Sequence, residues 1–264
     1  MENRITDLDK PLVILHDFTG VYEQESFYRD YEYKMISEKE IEGTRGYLDE
    51  EAGRKLAEQI RMKSSLPAFH FLDSGNYHYM SKLYAGGISE PYILIVFDNH
   101  TDMQPSAFGR ILSCGSWIAD LYEDGREGKA IAPEKIIIVG AKNEYILECM
   151  YKDDPNVFFC DTLIESGVKA VLDKVSCEKK EELPVYISID KDVLSKEEFD
   201  SDWDQGQMNL SKLISELEFI RKDYSIIGVD VCGEPELIGT SIEKSDAINR
   251  AIIDCITGLR SLKQ

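Results

Sequence analysis

The residues best suited to chemistry stand in two short acidic clusters and one histidine segment. FDNHTD (97–102) places Asp98, His100 and Asp102 at alternate positions. In an extended segment such residues face the same way, so three oxygen and nitrogen donors converge on one point. Carboxylate, imidazole and carboxylate together suit a hard or borderline divalent metal such as Mn2+, not a thiolate site. SIDKD (188–192) repeats the spacing with Asp190 and Asp192, and His78 lies in LDSGNYHYMS (72–81). Each piece alone has a plainer reading: a surface loop, a strand-end turn, a helix cap or a core histidine. Together they offer two imidazoles and four carboxylates. Such a crowd repels itself unless cations bind. Two divalent ions about 3.5–4 Å apart match that number of donors.

The elements that must position these groups are visible as apolar runs at 11–18, 69–75, 91–98, 135–141, 157–161, 184–190 and 224–230. Most are continuously apolar, which marks strands buried on both faces of a parallel sheet. Amphipathic stretches lie between them. Leu210, Leu213, Ile214, Leu217 and Ile220 share one helix face, with Asn209 or Ser211 as cap, and Ile248, Ala251, Ile252, Ile256 and Leu259 share another. The expected architecture is an α/β three-layer sandwich: a central, mostly parallel sheet with helices on both faces. Ligands of such sheets bind at the carboxyl ends of the strands, where Asp73, Asp98, Asp190 and Asp230 fall. No linker, repeat or composition shift divides the chain, so residues 1–264 read as one domain. The polar stretch 195–207 reads as a loop.

Composition narrows the function classes. The chain has 264 residues, 43% hydrophobic and 30% charged, and a formal charge of −20. That charge disfavours nucleic acid and anionic membrane surfaces, which need Lys/Arg patches. No apolar run reaches the roughly 18 residues of a membrane span. The N-terminus lacks the pattern of a signal peptide. Six scattered cysteines without a CxxC pair fit a reduced, cytoplasmic chain. A homo-oligomer is left open.

GNYHY (75–79), FDNHTD (97–102) and SIDKD (188–192), in that order, resemble the motifs of the arginase superfamily of ureohydrolases, which includes agmatinase and formimidoylglutamase. GVDVCGEP (228–235) is similar to the family's late strand with its glutamate. The resemblance covers nearly the whole chain and implies the arginase-deacetylase-like fold, two Mn2+ per chain and a small cationic guanidine or peptide substrate. It implies that His78, Asp98, Asp102 and Asp190 bind one ion. His100, Asp98, Asp190 and Asp192 would bind the other, with Asp98 and Asp190 bridging. Asp102 would relay a proton to the leaving amine, and Glu234 would pair with the substrate cation.

The chain also departs from the family. No histidine stands in 106–121, where arginases carry a proton-shuttling one; Ser113, Cys114 and Ser116 occupy that neighbourhood. His16, at the end of the first strand, becomes the candidate shuttle, with His70 as the other remaining histidine. The family's substrate glutamate falls at Gly233, one residue before Glu234. The loop after Asp192 lacks the family's Asp-Pro continuation. These departures make the chain similar to a divergent branch that includes peptide arginases. The function expected is hydrolysis of a linear C–N bond, releasing urea from a guanidine or formamide from a formimino group. The acidic loop residues Glu197, Glu198, Asp200, Asp202 and Asp204 either steer a cation or simply solvate the surface. The alternatives are a zinc amide hydrolase of the deacetylase type and a non-catalytic, regulatory binding protein of the same fold.

Overall fold

All seven apolar runs become strands of one sheet. The computed structural model describes residues 5, 11–64, 66–106, 109, 111–160, 167–178, 183–235 and 241–259. Residues 1–10 apart from Ile5, positions 107, 108 and 110, Asp161 and the side chain of Cys177, all touched by the expectations above, lie outside that description. The first half contains β1 (Leu12–Asp17), β2 (Glu32–Ser37), β3 (Tyr47–Leu48), α1 (Glu50–Lys63), β4 (Phe69–Phe71), α2 (Met80–Ala85), β5 (Ile93–Phe97), β6 (Leu112–Ser113) and α3 (Trp117–Arg126). The second contains β7 (Lys135–Val139), α4 (Asn143–Glu148), β8 (Val157–Cys160), α5 (Gly167–Glu178), β9 (Val185–Asp190), α6 (Leu210–Asp223), β10 (Ile226–Cys232) and α7 (Ser241–Thr257).

Eight strands form a sheet in the order β2-β1-β4-β10-β9-β5-β7-β8, and every pairing in it is parallel. Side-chain alternation divides the core between the two faces. Ile93, Ile95 and Phe97 of β5 pack with Leu213, Leu217 and Ile220 of α6 and Ile248, Ile252 and Ile256 of α7. Leu94 and Val96 of the same strand join Leu56 of α1, Tyr84 of α2 and Trp117 and Leu121 of α3. Each fully buried Leu, Ile or Val contributes about 1.5–3 kcal/mol, which is why the continuously apolar strands take the middle of the sheet.

One strand of the main sheet, and the short β3 and β6, escaped the sequence reading. β2 (EYKMIS) lies at the sheet edge, with only Ile36 buried, so it carries neither an apolar run nor clean alternation. β3 and β6 form a separate antiparallel pair that walls the site described next. Of the two cap candidates for α6, Asn209 serves: its side chain accepts from Lys212 N at 2.8 Å.

Candidate metal centre

Strand register brings the acidic clusters together. Phe97 pairs with Ile189 across β5 and β9, so Asp98 and Asp190, one residue beyond each, leave the sheet side by side. His78 arrives from the other direction. After β4 the chain makes a single turn at Gly75–Tyr77, capped by Ser74, and delivers His78 ahead of α2. Gly75 makes this approach possible. A Cβ there would lie 3.1 Å from Asp190 Oδ2 and 3.0 Å from Trp203 Nε1.

The six side chains converge on one crevice of about 380 Å3. His78 Nδ1 lies 2.9 Å from Asp102 Oδ2, 3.3 Å from Asp98 Oδ2 and 3.6 Å from Asp190 Oδ2. His100 Nδ1 lies 2.9 Å from Asp192 Oδ2 and 3.4 Å from Asp98 Oδ1. All but His100 are at most 5% exposed. Two of the three donor groups found among the described residues share Asp98, His78–Asp98–Asp102 and Asp98–His100–Asp192; the third is His78–Asp190–Cys232.

The neighbours of these residues hold them in ligand geometry. His78 Nε2 is 2.9 Å from Ser188 Oγ, which donates to Asp230 at 2.6 Å. Tyr186 donates to the other Asp230 oxygen at 2.8 Å. The Trp117 indole donates to Asp102 Oδ2 at 2.7 Å. Asp102 adopts a left-handed backbone, φ 48°, a conformation that aspartate tolerates better than most residues. Asn99 N donates to Asp192 Oδ1 at 3.1 Å, and Cys232 Sγ donates to Asp190 Oδ2 at 3.1 Å.

This donor set fits a pair of divalent cations. His78 commits Nε2–H to Ser188 and turns Nδ1 toward three buried carboxylates, an arrangement that calls for positive charge at Nδ1. Protons supply it when no ion does. Burial would lower the His78 pKa, but Cys232, Asp102 and Asp98 hold it well above the ordinary value. His100, against the same opposing burial, is pushed up to about 12 by Asp192 and Asp98. Burial and the neighbouring Asp98 raise the Asp102 carboxyl to about 6, and burial also raises Asp190 and Asp192.

Two expected site residues are placed elsewhere. His16 is fully buried and does not line the crevice. Its Nδ1 is 2.8 Å from Glu38 Oε1 and its Nε2 bonds the Tyr84 hydroxyl, so both nitrogens are engaged away from the centre. The reason is strand order: β1 lies beyond β4 and β10 from β9 and β5, whose ends carry the candidate aspartates. His70, on β4, stacks on Tyr84 with ring centroids 3.7 Å apart. Glu234 is also turned away. Its Oε1 pairs with Lys191 Nζ at 2.6 Å and accepts from Asn249 at 2.8 Å, while Ser245 donates to Oε2. Burial pushes its carboxyl up, but Lys191 together with hydrogen bonds from Glu25 and Ser245 outweighs that and holds it below the usual value. Gly233, just before it, adopts a left-handed φ of +90°.

Ser113 and Cys114 line the crevice, whereas Ser116 donates to Asp120 at 3.1 Å. None of the five acidic side chains of the 195–207 loop lines it; that loop contributes Trp203. Asp204 is tied instead to Lys142, Tyr145 and Asn99. The sequence reading missed Ser188, Trp117 and Cys232. Ser188 and Cys232 had a readable signal, because both stand two residues from an expected strand-end aspartate, on the same side of the strand.

The family model described as Arginase family matches residues 70–234. An uncharacterized protein of Thermotoga maritima is 29% identical over 249 residues, covering 93% of this chain and 90% of its own. Among solved structures, the arginase of Bacillus caldovelox superposes with TM-score 0.68 at 17% identity, over 96% of this chain and 100% of its own. A variant of the Trypanosoma cruzi formiminoglutamase, solved with Mn2+, gives TM-score 0.63 at 13% identity over 94% of each chain. With that match extending over more than half of the sequence, from the His78 segment through the late strand, the chain belongs to the arginase family.

Proposed function

We propose that the protein is a dinuclear manganese hydrolase of linear amidines, releasing urea from a guanidine or formamide from a formimino group. The observation that carries this reading is His78 Nδ1 surrounded by Asp98, Asp102 and Asp190, with its Nε2 already committed to Ser188. His78, Asp98, Asp102 and Asp190 would hold one ion; Asp98, His100, Asp190 and Asp192 would hold the other. Four hard carboxylates favour Mn2+ over a thiolate-preferring metal, and their number disfavours a one-zinc amide hydrolase.

When bound, the pair of cations supplies the positive charge that lowers the pKa of a water to near neutrality. The remaining work falls to side chains. Asp102 is fixed by the Trp117 indole and would take a proton from the water and pass it to the leaving nitrogen. No histidine is needed for that transfer. Ser113 and Cys114 line the same wall of the crevice and orient the amidine. The protein is proposed to act in the cytoplasm as one domain; among the described residues no helix is long and apolar enough to cross a membrane.

The test is metal analysis after manganese loading, with urea and formamide assays on guanidines, formimino compounds and arginine-containing peptides. Two ions per chain and release of either product support the reading. Absence of bound metal overturns it; two ions with no product from any amidine leave a binding protein of the same fold.

A further inference from the structure

The eight-stranded sheet ends on a strand with an open side. β2 pairs with β1 at each of its six residues, without a bulge, and among the described residues nothing pairs with its outer side. Tyr31, just before it, is extended as well, at φ −118° and ψ 171°. The edge therefore presents a row of backbone N–H and C=O groups to any strand that can lie beside it. Natural edges are commonly blunted by proline, by a bulge or by extreme shortness. β2 (EYKMIS) has none of these.

The two faces of this strand differ. Ile36 is buried beside Ile14 and Ala68, and alternation puts Glu32 and Lys34 on the same face as Ile36. Tyr33 and Met35 stand on the other face, 47% and 39% exposed. The Tyr33 ring lies against that of Tyr28, centroids 4.8 Å apart. Tyr31 shares the Tyr33 face and is anchored by its hydroxyl to Asp254 of α7 at 2.7 Å. A lone edge lysine deters pairing, but Glu32 stands two residues from Lys34 on the same face. On a chain of formal charge −20, this strand carries one acid and one base.

We infer that β2 pairs antiparallel with β2 of a second copy of this chain, about a two-fold axis normal to the sheet and centred on Tyr33. A two-fold contact brings the same surface together twice, so it must be self-complementary. The residue order of β2 meets that demand. With Tyr33 on the axis, Glu32 of each copy lies opposite Lys34 of the other on one face. On the other face Tyr33 meets Tyr33, and Tyr31 meets Met35. Directly opposed residues of antiparallel strands have Cβ atoms about 4.5–5.5 Å apart, within reach of both ion pairs and of the aromatic contact. The register is specific. Moving the axis one residue forward sets Lys34 against Lys34, and one residue back sets Glu32 against Glu32, arrangements that like charges disfavour. The backbone groups of the open edge supply the hydrogen bonds of the new ladder.

The test is the mass of the full chain in solution, measured by analytical ultracentrifugation over the micromolar range, with circular dichroism to confirm that each variant is folded. Lys34→Glu and Glu32→Lys should each weaken the association at least about tenfold, because each sets like charges opposite one another twice. The variant carrying both exchanges should recover it. An equimolar mixture of the two single variants should associate more tightly than either alone, since each then meets its complement. Tyr33→Cys should cross-link into a covalent dimer under mild oxidation while the wild type does not. Association that neither single exchange weakens, or that the double exchange fails to restore, overturns the pairing. A monomer at every concentration whose Tyr33→Cys variant stays unlinked also overturns it and leaves the edge to a strand of another protein.

Discussion

The His78 imidazole is held from behind by Ser188: Nε2 lies 2.9 Å from Ser188 Oγ, whose own hydrogen goes to Asp230 at 2.6 Å. Ser188 and Asp230 are direct partners across β9 and β10, so the support of the ligand is built into strand register. It fixes the nitrogen that faces the crevice. Ser188→Ala should leave the fold intact and weaken manganese binding by about 10–100-fold, as removing such supports does in other metal sites. Calorimetric titration checks this, and unchanged affinity refutes it.

Asp98 belongs to two of the three donor groups and Asp190 to the third. Asp98→Asn or Asp190→Asn should therefore cost both ions, whereas His78→Ala should weaken mainly one. Elemental analysis of the loaded variants distinguishes these outcomes. In the wild type, manganese at about 100 times its dissociation constant should add about 2.7 kcal/mol of stability, seen as a rise in Tm.

Manganese uptake should release protons. His78 and His100 hold theirs firmly in the metal-free protein, His100 up to about 12, and a ligand nitrogen must give its proton up. A raised folded-state pKa stabilises the metal-free fold fully below the ordinary value of 6.5, and that contribution is lost as pH rises toward about 12. Metal affinity has the opposite slope. It should fall from about pH 8 to about pH 6 and fall faster below, where Asp102 also takes up a proton. Titrations in buffers of different ionisation enthalpy count the protons released.

His16→Ala should act on stability and not on turnover. The substitution leaves a buried Glu38 oxygen without its hydrogen-bond partner, a change that costs about 1–3 kcal/mol. The kcat of the folded, metal-loaded fraction should stay within about threefold of wild type. A loss of about 100-fold or more with full metal content would return His16 to the chemistry.

Gly233→Ala should damage the centre although it removes no ligand. The added methyl would press on Asp190 Oδ1 and the Lys191 amide at a φ of +90°, a strain of about 1–3 kcal/mol before any clash. Lower manganese affinity with a retained far-ultraviolet circular dichroism spectrum is the expected result. Wild-type affinity would show that the loop relaxes freely.

The sequence by itself determined the candidate ligands, because alternate residues leaving a strand share one side: Asp98 with His100 and Asp102, Asp190 with Asp192. By the same alternation Lys191 points away from the crevice, and there it meets Glu234. Continuous apolar runs likewise revealed the seven strands buried on both faces. They could not reveal β2, whose edge position leaves its side chains polar and exposed. Tertiary structure alone decided the fate of His16 and Glu234. A strand-end histidine faces the centre only if its strand neighbours the ligand-bearing ones, and β1 does not. A glutamate after β10 reaches the crevice only if its side chain faces it, and Glu234 instead meets Lys191, Ser245 and Asn249. Strand order and the partners a buried glutamate finds depend on contacts distant in sequence, so no local pattern of residue types encodes them.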